Sequence, residues 1–413
     1  MFLNRCLMGN IEDIKSLSIL TFETSSREYK YLVNFGERFW EITAAVADLI
    51  KAFQQGGSLE NATELFSKSR RRSYSPEEVM HLADIYIAPI FKENSSKTTK
   101  SFLLRLNILT ARQVVVFSDK LKCLFQRSVL YPLLFLIIIL EILFFVKQDI
   151  TTAIFDIEFM DIVGLIALYI ISSFFHELGH ASACRYFKVE HGGIGLGLYL
   201  TFPVFFTDVT KIWTLPRKQR AVVNSAGIYF QLIFLLPLIL LSFIIPNDFF
   251  IYFVFVINLN FLLTMNPFFK FDGYWMMSDL LGIPNLRKRT NELLSYWIKK
   301  IRKKNAGSYP FLLTIKPVEK TIAIVYTIVV NIFFGYYFFF IIPHFLVAFV
   351  SDFPYLFQRV INSLVVGKMP DYVLLKSFFS QLLILGLILF FFYNLLKPLL
   401  NNLKRKYIEK NQR

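Results

Sequence analysis

Asp161-Ile162-Val163-Gly164-Leu165-Ile166-Ala167-Leu168-Tyr169-Ile170-Ile171-Ser172-Ser173-Phe174-Phe175-His176-Glu177-Leu178-Gly179-His180 decides the fold. A helix needs about 20 apolar residues to cross a bilayer, and this one ends in two imidazoles and a carboxylate, which a bilayer accepts only when they are paired or coordinated. On a helix advancing about 100° per residue, His176 and His180 project from nearly the same face, one turn apart. That spacing suits one tetrahedral ion, and Glu177 between them is placed to take a proton from water. On a soluble helix the same pentapeptide is often a solvated charged face, but the apolar setting argues against that here.

Working outward, the chain holds six membrane-length runs, at about 129–146, 157–178, 221–245, 249–270, 319–347 and 372–396. Of the 413 residues 55% are hydrophobic and 47 are Phe, a composition that excludes a soluble protein. The expected fold is mainly α, a polytopic membrane bundle of about six transmembrane helices with a small N-terminal α+β winged-helix-like cytoplasmic domain. The net charge of +15 does not point to nucleic acid, because the Lys and Arg residues cluster in loops beside apolar runs. Cys6, Cys123 and Cys184 are scattered, which indicates neither a disulfide framework nor a thiolate zinc cage.

Residues 1–30 lack the sustained apolar core of a cleavable signal peptide, so the first hundred residues are expected to stay on the side where they are made. The stretches 185–220 and 283–320 and the C-terminal tail are basic, whereas 147–158 and 348–371 are not. Positive-inside bias therefore places both termini in the cytoplasm. The second and fourth runs then both travel inward, bringing His176, His180 and Asp272 to the same side of the bilayer. Asp272 is the best third ligand, with Gly273 letting the backbone turn away after it. Three protein ligands leave a position open, as in catalytic rather than structural zinc sites, so Zn²⁺ is the expected cofactor.

Before the first run, Leu17–Leu20, Tyr29–Phe35 and Arg38–Ile42 read as short strands, the last two around Gly36. Thr43, Ser58 and Ser75 read as helix caps, with Pro76 at a first helical position and Glu78 closing a capping box. Lys92 to Lys100 reads as a polar linker. Arg105 to Arg127 follows as a half-apolar segment suited to the membrane surface. The expected partition is 1–95 (N-terminal domain), 96–128 (basic linker and interfacial segment), 129–280 (membrane core), 281–320 (basic cytoplasmic loop) and 321–413 (C-terminal transmembrane helices and tail).

His176-Glu177-Leu178-Gly179-His180 on one apolar run and Asp272-Gly273 after a later one resemble the site-2-protease-type intramembrane zinc metallopeptidases. Stretches 195–209, Ala226–Tyr229 and 272–287 narrow the resemblance to the bacterial branch of peptide zinc metalloproteases. Residues 15–95 resemble the PqqD-like domain, which holds a precursor's leader segment as an added strand; a regulatory cap without a peptide ligand fits the same pattern. The resemblance implies His176, His180 and Asp272 as metal ligands and Glu177 as the catalytic base. The family's asparagine eight residues before the aspartate is Thr264 here, with Asn266 as a substitute for holding substrate, while Pro267 matches the family's proline.

Other roles follow from position. Residues 192–209 suit a re-entrant hairpin or an interfacial loop. Asp208 is either a hydrogen-bond acceptor for a ligand histidine or the cap of the following turn. Lys270 either stabilises the nearby carboxylate or snorkels at the interface, and Cys184 reads as a small packing residue. The expected function is zinc-dependent cleavage of a peptide precursor or membrane-associated leader during maturation or export, in the bacterial cytoplasmic membrane. Expected partners are that peptide or membrane-protein substrate, the lipid bilayer, and an exporter or peptide-modifying enzyme. Two alternatives are a non-catalytic component of a peptide exporter and a protease that cuts a membrane-anchored regulator, although no PDZ-like insertion is visible.

Overall fold

The computed structural model describes residues 11–36, 38–92, 105–148, 159–199, 202–245, 247–303, 305 and 307–411. The chain is mainly helical, at 74%, and divides into two compact units, Met1–Ala323 and Ile324–Arg413.

The first unit opens with α1 (Ile11–Ser16), β1 (Ser18–Phe22), β2 (Lys30–Phe35) and β3 (Arg38–Thr43). The strands form an antiparallel sheet in the order β1-β2-β3, in a register that sets Leu32 opposite both Leu20 and Glu41. Gly36, at φ 64°, makes the turn between β2 and β3, a conformation that costs glycine little. Four helices follow: α2 (Ala44–Gly56), α3 (Leu59–Arg70), α4 (Pro76–Tyr86) and α5 (Ala88–Lys92). Their apolar faces bury Leu49, Ile50, Phe53, Phe66 and Val79, with Ile87 from the joint between α4 and α5, against Val33 and Ile42 of the sheet.

The cap chemistry explains where these helices start. Ser75 Oγ accepts from the Glu78 amide at 3.1 Å, and Glu78 Oε2 accepts from the Ser75 amide at 2.9 Å. Such a cap contributes about 1 kcal/mol. Ser58 Oγ likewise accepts from the Asn61 amide, whereas Thr43 occupies the cap position of α2 without a side-chain bond.

Most of the linker at 92–100 lies outside the described residues. Beyond it, the segment expected along the membrane surface divides differently. Arg105–Leu109 is β4, and Ala111–Leu121 is α6, opened by a Thr110–Gln113 capping box. The membrane core then runs through α7 (Arg127–Lys147), α8 (Phe159–Tyr186), β5 (Ile194–Tyr199), β6 (Phe202–Thr207), α9 (Arg217–Ile244) and α10 (Asp248–Met265). Two shorter helices, α11 (Asp272–Leu281) and α12 (Leu286–Ile301), lead to α13 (Pro317–Tyr336). The basic stretch at 281–320 is thus largely helical.

Within 192–209, β5 and β6 pair antiparallel, and β4 has paired onto β5, giving the order β4-β5-β6. That pairing joins positions about ninety apart in sequence, which a local reading of residues 105–127 has no means of finding.

In the second unit, α14 (Ile342–Val365) and α15 (Tyr372–Asn411) pack through Phe353, Phe357 and Phe378. The connection expected at 348–371 is mostly helix, ending only at a turn where Gly367 takes φ 73°. Among the described residues, six helical spans are long and apolar enough to cross a membrane: Arg127–Lys147, Met160–Tyr186, Arg217–Ile244, Asp248–Met265, Pro317–Val365 and Tyr372–Tyr393. This is the construction of a multi-pass membrane protein.

Candidate metal centre

The second span does not stop before its polar residues. Helix α8 continues from the apolar run through His176, Glu177 and His180 to Tyr186, so backbone hydrogen bonding holds all three side chains on one rigid element. Helix α9 packs directly against this stretch, and small residues make the approach possible. A Cβ on Gly179 would lie 2.4 Å from the Ala226 carbonyl oxygen and 2.9 Å from the Phe230 Cβ. A Cβ on Gly227 would lie 2.4 Å from His176 Nε2. Gly179 therefore admits the neighbouring helix, and Gly227 leaves room for the imidazole.

Each ring is oriented through its Nδ1. His180 Nδ1 donates to the Val223 carbonyl at 2.7 Å, an oxygen that can only accept. His176 Nδ1 lies 3.1 Å from Gln231 Oε1, while Gln231 Nε2 donates to Ser172 Oγ at 3.3 Å. With both protons on Nδ1, the two neutral rings turn Nε2 lone pairs toward each other, 3.1 Å apart.

The third group arrives from α11. A Cβ on Gly273 would fall 2.0 Å from the Met265 carbonyl oxygen, so only glycine lets this helix begin so close to the end of α10. Asp272 Oδ2 then sits 2.7 Å from His176 Nε2 and 3.3 Å from His180 Nε2. These separations also suit ion pairs to protonated imidazoles, but Oδ2 is buried and has no hydrogen-bond partner of good geometry. The bonds at Nδ1 and this orphaned oxygen together describe three lone pairs facing one point, an arrangement that a cation relieves. The three atoms lie within 4.8 Å of one another. A tetrahedral ion with bonds of about 2.0–2.1 Å holds its ligand atoms about 3.3 Å apart, so the set fits one after small adjustments.

Glu177 is buried beside this cluster, and its backbone carbonyl accepts from Thr207 Oγ1 at 3.3 Å, tying α8 to β6. The other sequence candidates are placed differently. Asn266 Oδ1 accepts from the Phe268 amide at 2.8 Å and shapes the α10–α11 connection in which Pro267 also lies. Asp208 Oδ1 accepts from the amide and hydroxyl of Thr210, the turn cap, while the imidazole partners come from α9. Lys270 is exposed and lines a cavity beside α12. Cys184 is buried in the apolar core around Phe230.

The residues that sequence reasoning missed lie on α9. Asn224 and Gln231 lie two turns apart, polar positions in an otherwise apolar span on the face that also carries Gly227 of the 226–229 motif, and that was their available signal. Asn224 Nδ2 and Arg220 Nε both donate to Asp279 of α11, at 2.7 and 2.6 Å. Asp279 stands two turns after Asp272 on the same helix face, so this buried network fixes the helix that carries the carboxylate. Arg220 also stacks on Phe22 and Trp213 and donates to the Leu215 carbonyl at 2.9 Å.

The comparisons with known proteins returned no match: no family model, curated protein or solved structure matches the chain. What the site defines is a multi-pass helical membrane protein with a histidine–histidine–aspartate group able to hold a metal ion.

Proposed function

We propose that the chain is an intramembrane zinc metalloprotease of the site-2-protease type, acting on a peptide precursor or membrane-associated leader during maturation or export. The observation that carries this is the meeting of His176 Nε2, His180 Nε2 and Asp272 Oδ2 beside the buried Glu177. Bound zinc supplies a Lewis acid that polarises the scissile carbonyl and makes water more acidic. Glu177 accepts the proton of the attacking water and delivers it to the leaving amine. Gln231 and the Val223 carbonyl hold the two rings in the tautomer that leaves Nε2 free for the metal.

A helical substrate hides its carbonyls in its own hydrogen bonds, so it must reach the site extended. Among the described residues β6 is paired on one edge only, by β5, and Thr207 at its end bonds to the Glu177 carbonyl. An extended segment added to the other edge would lie alongside α8. The N-terminal sheet and helices are read as a leader-holding element, and they connect physically to the core. Ser25 Oγ and its amide both donate to the Gly282 carbonyl, just after α11, at 3.2 and 2.9 Å. The charge distribution favours both termini in the cytoplasm, and the resemblance to the bacterial branch is what suggests the bacterial cytoplasmic membrane.

The test is Glu177→Gln in membranes containing a candidate precursor. The expected result is retained zinc with processing reduced at least about a hundredfold. Retained zinc with unchanged processing would refute the enzyme reading.

A further inference from the structure

A cavity of about 980 Å³ lies among α11, α12 and residues 307–314, and five cations line it: Lys270, Arg287, Lys288, Arg289 and Lys299. Glu292 is the lining carboxylate, and it is already engaged by Arg289 Nη1 at 3.1 Å. Among the described residues no carboxylate lies within 4.0 Å of Lys270, Lys288 or Lys299. The Arg289 guanidinium lies over the Phe311 ring at 4.6 Å, and its Nε is buried without a hydrogen-bond partner. Arg287 and Arg289 are half-buried and Lys270, Lys288 and Lys299 exposed, but all five share one concavity, so their positive potentials add there and their mutual repulsion favours a bound anion.

The cavity wall is also the segment that delivers the third metal ligand. Lys270 stands two residues before Asp272, and the Arg287 side chain donates to the Phe268 carbonyl. The Arg287 amide donates to Tyr274 Oη at 3.1 Å, in the first turn of α11. An occupant of the cavity therefore lies next to the Asp272 connection. One lipid phosphate is matched by one or two cations, whereas five around a volume at the upper end of ordinary ligand sites suit several charges in a row. We propose that this cavity receives the carboxylate side chains of an acidic segment of the substrate peptide, holding it beside the His176–His180–Asp272 group. The proposal rests on the protease reading for the identity of its ligand.

The test uses the full chain carrying Glu177→Gln, in nanodiscs of phosphatidylcholine, so that binding is read without cleavage. Two fluorescein-labelled probes are compared by anisotropy, a peptide of alternating Ala and Glu and the same peptide with Gln in place of Glu. The acidic probe is expected to bind at least about tenfold more tightly, with the preference falling as salt rises. Adding Lys288→Glu and Lys299→Glu, both at exposed positions and so harmless to folding, is expected to abolish the preference. Equal binding of the two probes, or a preference that survives the double replacement, would overturn the proposal. So would phosphatidylglycerol retained through delipidation by the parent and lost from the double variant without any acidic-peptide preference, which would make the site a lipid site. An acidic preference in a wild-type chain that cleaves no peptide would leave the anion site standing and remove the protease reading instead.

Discussion

Gly227→Ala separates the metal centre from the fold more cleanly than replacing a ligand does. The added Cβ would stand 2.4 Å from His176 Nε2, whereas ordinary contact begins near 3.4 Å, so the ring must retreat by about 1 Å. It can do so by rotating, because the clash falls on the far end of a side chain and the backbones of α8 and α9 need not part. In doing so the ring leaves both its Gln231 bond and the meeting point with Asp272. Loss of such an orienting contact costs about 10–100-fold in metal affinity, or about 1.4–2.7 kcal/mol, and a displacement of about 1 Å costs about a hundredfold in rate. Alanine in a helix interior is meanwhile favoured over glycine by roughly 0.5–1 kcal/mol. The variant should thus keep the wild-type helix content and thermal stability while holding zinc more weakly, as measured by metal analysis against a graded series of chelator concentrations. Gly386→Ala on α15, where no described heavy atom lies within 4 Å of the new Cβ, is the control and should leave zinc affinity unchanged. Wild-type zinc affinity in Gly227→Ala would refute the placement of His176 in the site.

Gln231→Leu removes the acceptor for His176 Nδ1 but keeps the volume apolar, and should weaken zinc about 10–100-fold in the same assay. Asp279→Asn leaves the buried Arg220 without its charge partner and should destabilise the protein by about 3–5 kcal/mol, seen as a fall in the unfolding midpoint in detergent. Asp119 on α6 faces the Arg185 guanidinium through two bonds, at 2.9 and 3.0 Å, with Lys122 beside it. Those hydrogen bonds, first that of Arg185, hold its carboxyl down from the ordinary 3.8 to about 2. A depressed carboxyl stabilises the folded state fully above the ordinary value and loses that contribution as pH falls toward 2. The melting temperature of wild type should therefore exceed that of Asp119→Asn at pH 5, with the gap closing through this acid window.

Much of the site was legible because its signals are local. Two histidines four apart with glutamate between them, placed at the end of an apolar run, require no tertiary knowledge. Ser75, Pro76 and Glu78 announce a helix start in the same way. Asp272 stood out by its Asp-Gly motif, and charge bias, by setting its run and the His176 run travelling in the same direction, brought it to the same side of the bilayer. The partners of the imidazoles were not legible, since one is a backbone carbonyl, of Val223, and the other a lone glutamine in an apolar span. The Arg220–Asp279 pair links residues fifty-nine apart, and β4 finds β5 across nearly ninety, so both depend on how the chain returns rather than on any local pattern. Gly179 and Gly227 were legible as motif positions. Their physical roles, admitting α9 and clearing the His176 ring, emerge only from the packing.

The central claim is that His176, His180 and Asp272 hold one zinc ion with a position left open. X-ray absorption at the zinc edge of the purified protein tests it most directly. The expected spectrum shows two imidazole nitrogens at about 2.0–2.1 Å with oxygen completing the shell, at about one zinc per chain, and His180→Ala loses the metal. A chain that stays free of zinc when purified with it, or a shell that is unchanged in His180→Ala, would contradict the account.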